Sequence, residues 1–157
     1  MGKNEVDSAI QRLLKLGVKV TKLWENAKIT STFAKQRISV DTSGLDAVLI
    51  ETVYATDTTD YVFGYIVTPN KKSVLTQFAQ ASYSNIGYCS RAVELGKNIL
   101  FYDSIVKNIS STSGGTANNK YQIPYRIYGI KLLGGGYSLK HIFTAFWRTC
   151  KGGVVHA

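Results

Sequence analysis

The chain has 157 residues and a mass of 17.3 kDa, enough for one compact domain with short appendages and a core that needs no metal or disulfide staples. Charged residues make up 18% and hydrophobic ones 45%, which excludes wholesale disorder, and no apolar run is long enough to cross a membrane as a helix. With 10 Tyr and 6 Phe against 1 Met, and 14 Gly, the composition is that of strands and loops rather than of a helical bundle.

The net charge of +9 is unevenly spread. Residues 1–37 sum to +5, residues 38–70 carry five acids and no base, residues 71–130 sum to +5, and residues 131–157 to +4. The bases are dispersed, and the longest basic run is Lys71-Lys72. Such dispersion serves solubility or contact with an acidic surface better than a nucleic-acid track, so nucleic acid is an unlikely main partner. The N-terminus has no apolar stretch of the kind a secretory signal needs.

Residues 4–16 read as a short helix, with Asn4 as cap and Gly17 just past its end. Val6, Ile10 and Leu13 fall on a coiled-coil-like seam. The helix either packs on the main domain or ends an oligomerisation stalk, which makes these three candidate oligomerisation residues. From residue 18 the periodicity becomes two. Residues 18–24 and 36–40 alternate, and residues 46–55 (DAVLIETVYA) form a near-continuous β-branched run, as in a central strand. Residues 57–60 are expected as a polar turn, followed by a strand over residues 61–67 that stops at Thr68-Pro69-Asn70. Residues 88–95 and 98–102 pair as a hairpin across Gly96-Lys97. Residues 110–120 form a small polar loop, and residues 124–133 form a last strand. Tyr83 and Tyr88 flank a Ser-Asn-Ile-Gly turn, and Asn85, Asn118 and Asn119 read as turn residues. Beyond three glycines, Leu139, Ile142, Phe143, Phe146 and Trp147 mark an amphipathic stripe that could dock on the sheet or a neighbouring subunit, form a poorly ordered extension or, less favourably, lie on a membrane surface.

Strands at this spacing without intervening helices indicate an all-β antiparallel β-sandwich or jelly roll. The expected organisation is an N-terminal helix over 1–17, a β-sandwich domain over 18–133 and a Gly-linked extension over 134–157. Its expected core holds Trp24, Phe33, Ile38, Val40, Val48, Ile50, Val53, Phe63, Ile66, Val93, Ile99, Phe101, Ile127 and Ile130.

Catalytic and metal signatures are sparse. No phosphate-binding loop, dinucleotide fingerprint or serine-hydrolase elbow occurs, and no histidine precedes His141. Cys89, Cys150, His141 and His156 lack the paired spacing of a zinc site, so no metal or cofactor is expected. Cys89 reads as a small buried hydrophobe. Asp41, Asp46, Glu51, Asp57 and Asp60 lie around one strand pair and could supply a carboxylate pair for polysaccharide cleavage, although turn capping and edge solubility explain them more simply. Tyrosine is the enriched type with binding chemistry. Tyr83, Tyr88, Tyr121 and Tyr125 are the candidate ligand-binding residues, and tyrosine stacking leaves a single-stranded nucleic-acid binder as an alternative.

Three segments add a resemblance. KLWEN (residues 22–26) leading into TSTFAKQRISV (30–40), then LDAVLIE (45–51), and YQIPYRIYGIKL (121–132) as closing strand resemble, in this chain order, segments of small β-rich structural proteins of tailed bacteriophages. These are tail-fibre, baseplate-associated or head-fibre modules. The resemblance covers about residues 20–132 and implies a sandwich or jelly roll that assembles as a trimer, does no chemistry, resides in the virion and contacts other virion proteins or a host-surface glycan. Such chains typically end near the YGIKL strand, whereas this one continues for about 25 residues.

Overall fold

The structure is a computed structural model that describes residues 7–8, 10–11, 17–56, 58–82, 85–108 and 114–133. Nine strands follow in chain order: β1 (Val18–Glu25), β2 (Gln36–Ile38), β3 (Ala47–Ala55), β4 (Thr58–Val67), β5 (Lys72–Ser82), β6 (Asn85–Glu94), β7 (Ile99–Asn108), β8 (Thr116–Ala117) and β9 (Tyr121–Leu132). They form two antiparallel sheets. Sheet A has the order β1-β9-β3-β4 and sheet B the order β2-β7-β6-β5, with β8 also on β7. Apart from residues 7–8 and 10–11, which are helical, the described residues form strands and their connections, as the composition requires. The helix expected over 1–17 and the extension over 134–157 fall largely or wholly outside them.

The alternation of side chains across a strand sorts the interior into two clusters. The larger is shared by both sheets. Val48, Ile50, Ile123 and Ile127 come from sheet A, and Leu75, Val93, Ile99 and Phe101 from sheet B. Phe33 stacks edge-on against Phe101 at 5.5 Å and against Trp24 at 6.2 Å, so the connection between β1 and β2 closes this core. Each fully buried Ile or Phe contributes about 1.5–3 kcal/mol. The smaller cluster, Val18, Ala47, Leu49 and Ile130, comes from the alternate positions of β1, β3 and β9, and Ile10, Ile66 and Tyr128 pack against it. It therefore lies on the other face of sheet A. β3 is buried along nearly its whole length because both of its faces are covered.

Several local expectations change. Residues 58–60 belong to β4, and Asn85–Gly87 to β6, because the hairpin registers run through them (Ala55 against Thr58, Ala79 against Gly87). The 11-residue β5 was not foreseen at all. Phe63 and Ile66 are only partly buried, while Val62 (3% exposed) takes the core position beside Val53. Ile130 is fully buried, but in the smaller cluster. By contrast, the β6–β7 hairpin across Gly96-Lys97 forms as its pattern predicts, and the turn at Asn118-Asn119 joins β8 to β9.

Bulges explain two irregular patterns. β1 shifts register between Lys22 and Trp24, so Val18 and Val20 serve one face of sheet A while Leu23 and Trp24 pack against the shared core. β9 passes through a central position although it contains Pro124, which has no N–H to donate. The register skips Tyr125, with Thr52 opposite Pro124 and Glu51 opposite Arg126. Asn26 caps the irregularity: its backbone N–H donates to Tyr125 O at 2.8 Å and its side chain to Pro124 O at 3.0 Å.

Candidate functional site

Cys89, Arg91 and Val93 alternate inward on β6, which carries a guanidinium into the space between the sheets. Arg91 is fully buried. Its Nε donates to Gln122 O at 3.0 Å, Nη2 to Tyr121 O at 3.3 Å, and Nη1 to Tyr102 O. Its guanidinium also lies 5.4 Å from the Phe33 ring centroid. Burial pulls its pKa down to about 10, with the Asp103 charge opposing that shift, so Arg91 remains a cation at neutral pH. Gln122, at φ 51°, is one of two non-glycine residues with left-handed backbone among those described. Its Nε2 donates to the Tyr65 hydroxyl at 3.2 Å. Tyr65 and Thr52 both donate to Gln77 Oε1 at 3.4 Å, and Gln77 Nε2 donates to Tyr54 O at 3.3 Å. Burial pushes the Tyr65 hydroxyl up to about 12 and the Cys89 thiol up to about 11. The network cross-links the start of β9 to β5, β6 and β7, with Gln122 Oε1 buried and without a hydrogen-bond partner.

Of the five acids, Asp41, Asp46 and Glu51 each have partners of their own. Asp41 accepts from the Ser43 N–H and hydroxyl at 2.8 and 2.7 Å, which lowers its pKa. Asp46 accepts the Leu132 N–H at 2.8 Å and lies 3.6 Å from Lys131 Nζ. Glu51 is fully buried and pairs with Arg126 Nε at 2.9 Å. Burial lowers the Arg126 pKa, but Glu51 and the Tyr128 hydroxyl more than reverse that effect, and the net shift is upward. Asp60 lies on β4, and Asp57 is outside the described residues. Each described carboxylate bond is a structural tie between strands or within a turn. Among the described residues, no group of three or more His, Cys, Asp or Glu could hold a metal ion, and no helix is long and apolar enough to cross a membrane.

The tyrosines separate as well. Tyr125, at the β9 bulge, packs against the shared core, with the Arg126 guanidinium 4.1 Å above its ring. Tyr121 meets Tyr54 edge-on at 5.7 Å. Tyr88 stands on the other sheet, directly across from Phe78. Tyr83, Val6 and Leu13 lie outside the described residues, and Ile10 is half-buried against the smaller cluster.

What the sequence pattern did not single out is the outer face of sheet B. Leu75 and Gln77 point inward, so Val74, Thr76 and Phe78 point out. Val74 is 63% exposed, Phe78 69% and Ile105 37%. The registers place Phe78 beside Tyr88 beside Lys107, and Thr76 beside Ser90 beside Ile105. These side chains form one face, bounded by β5, which has no strand paired on its outer side among the described residues, although Thr76 O accepts from the Tyr65 hydroxyl at 3.3 Å. At the hairpin end of the same face, Arg37, Leu100, Glu94 and Lys72 fall in one cross-strand row. Tyr102 donates to Glu94 Oε1 at 2.7 Å, and the ammonium groups of Lys72 and Lys35 lie 4.3 and 4.9 Å from its ring centroid. The fold and this face define an all-β, two-sheet protein with an exposed apolar and aromatic surface. Comparison with known proteins found no matching family model, curated protein or solved structure.

Proposed function

We propose that this chain is a non-enzymatic structural module of a virion that acts by self-association, as a trimer, and by contact with other virion proteins, and that its two sheets form a β-sandwich. The observation that carries the associating role is the outer face of sheet B, where Val74, Phe78 and Ile105 expose aliphatic and aromatic surface beside Tyr88 and a free strand edge. Contiguous apolar surface of this kind marks contact sites on soluble proteins, and an open edge strand adds main-chain pairing to them. The virion assignment is supported by the three phage-like segments: LDAVLIE leads into β3, KLWEN ends β1 and YQIPYRIYGIKL is β9. These three strands are neighbours in sheet A, while TSTFAKQRISV runs from the connection after β1 into β2 of sheet B.

Light scattering on the full chain at two concentrations tests the associating role. The expected mass is three times the 17.3 kDa of one chain, and a Val74→Ser/Phe78→Ser double variant is expected to fall to one chain. A monomer at both concentrations, or a double variant that still assembles, overturns it.

A further inference from the structure

At the hairpin end of the outer face of sheet B, Arg37, Glu94, Leu95, Lys97, Asn98 and Leu100 line an open depression of about 260 Å³. We propose that this depression binds a phosphorylated sugar. Three kinds of group meet there. Arg37 and Lys97 place two cations on its rim, and a guanidinium with an ammonium is a fitting pair for a phosphate. Tyr102 and Lys72 both engage Glu94 on Oε1, at 2.7 and 3.5 Å, which leaves Oε2 to accept a sugar hydroxyl. Leu100, half-buried, offers C–H surface to a sugar ring. The Tyr102 hydrogen bond, then the Lys72 and Arg37 charges, hold Glu94 ionised by lowering its pKa, so it serves as an acceptor at neutral pH. Asp41, close enough to Lys97 to feel its charge, is already committed to the N–H and hydroxyl of Ser43. The cross-strand row Arg37–Leu100–Glu94–Lys72 thus alternates cation, apolar surface, anion and cation, a pattern suited to a ligand that carries charge and hydroxyls together. The site uses none of Val74, Phe78 or Ile105, so it stands or falls separately from self-association.

Calorimetric titration of the full chain at low salt with glucose 6-phosphate, glucose and inorganic phosphate tests the assignment. Saturable binding of glucose 6-phosphate is expected, about tenfold tighter than inorganic phosphate, with no detectable heat from glucose. Arg37→Gln and Lys97→Gln should each weaken glucose 6-phosphate about fivefold or more, whereas Lys120→Gln, on the β8–β9 turn, should leave it unchanged. Glu94→Gln should erase the preference for glucose 6-phosphate over inorganic phosphate while improving the latter, because an anion has left the rim. Thermal melts confirm that each variant is folded. Absence of binding, equal affinity for the two phosphates, or full binding by folded Arg37→Gln and Lys97→Gln proteins overturns the proposal.

Discussion

Arg91 shows how one side chain can hold three strands. Its donors are matched by the carbonyls of Tyr102, Tyr121 and Gln122; removing the guanidinium takes this donor from all three, and the bond to Gln122 O is a buried one. Leaving such acceptors unmatched costs more than the net worth of each bond. Arg91→Leu, which keeps the site apolar and filled, is therefore expected to lower unfolding free energy by about 3 kcal/mol, measured by urea denaturation. A loss below 1 kcal/mol would mean that water or a shifted backbone replaces the guanidinium. Cys89, two residues away, gives a pH-dependent counterpart. Its thiol ionises near 9.0 when unprotected and near 11 in the fold, because burial disfavours the thiolate. Between these values the unfolded chain releases a proton that the native state retains, so this contribution to stability is complete below pH 9 and lost as pH rises toward 11. At pH 10 the loss amounts to about 1 kcal/mol. Cys89→Ala should accordingly shrink the stability difference between pH 8 and pH 10 by about that amount. The comparison stops at pH 10 because Arg91, with its pKa held down to about 10, contributes in the opposite direction above it.

At the scale of elements, β9 is the strand on which sheet A depends, since it separates β1 from β3. Gly129 lies in it where a Cβ would meet Leu45 Cδ1 at 2.8 Å and Leu23 Cδ1 at 3.1 Å. Leu23 from β1 and Leu45 from the connection leading into β3 converge on this one backbone position, and only a missing side chain lets both pack there. Gly129→Ala can be relieved by a leucine rotation and should cost about 1 kcal/mol, while Gly129→Val, branched at Cβ, should cost about 3 kcal/mol. Thermal unfolding of the two variants against the parent reads the difference, and equal melting temperatures would show that the leucines do not confine this strand. The glycine was visible in the sequence as part of YGIKL, but its reason was not, because Leu45 and Leu23 reach it through the fold. The same distinction runs through the whole chain. β3 was legible because a strand covered on both faces needs an unbroken apolar run. The β6–β7 hairpin was legible because Gly96-Lys97 marks a turn between two patterned strands. β5 was not legible: its two faces are Val74, Thr76 and Phe78 against Leu75 and Gln77, and hydrophobicity alone puts the wrong set inside. The structure instead buries Leu75 and uses Gln77 to satisfy Thr52 and Tyr65, a choice set by partners distant in sequence. That inversion is also why the candidate contact face was missed while one of its members, Tyr88, was named.

For the molecule as a whole, the inversion of β5 leaves an edge strand with apolar side chains facing solvent. An isolated monomer normally blunts such an edge with charge, proline or a bulge. Here Lys72 stands at one end of the strand, and the exposed positions beyond it, Val74, Thr76 and Phe78, are uncharged. The centre of the face, Thr76 beside Ser90 and Ile105, carries no charge. A lysine introduced there should act by charge and bulk alone. Thr76→Lys projects into solvent in the single chain, and its effect on unfolding free energy should stay within about 0.5 kcal/mol. In an assembled particle the same ammonium would be buried without a carboxylate partner, at a cost of several kcal/mol. Light scattering should therefore show Thr76→Lys shifted toward single chains while its urea midpoint, measured at a concentration where the parent is also dissociated, is unchanged. Should Thr76→Lys assemble as the parent does, the outer face of sheet B faces solvent in the oligomer, and contact must be made through sheet A or through residues flanking the two sheets.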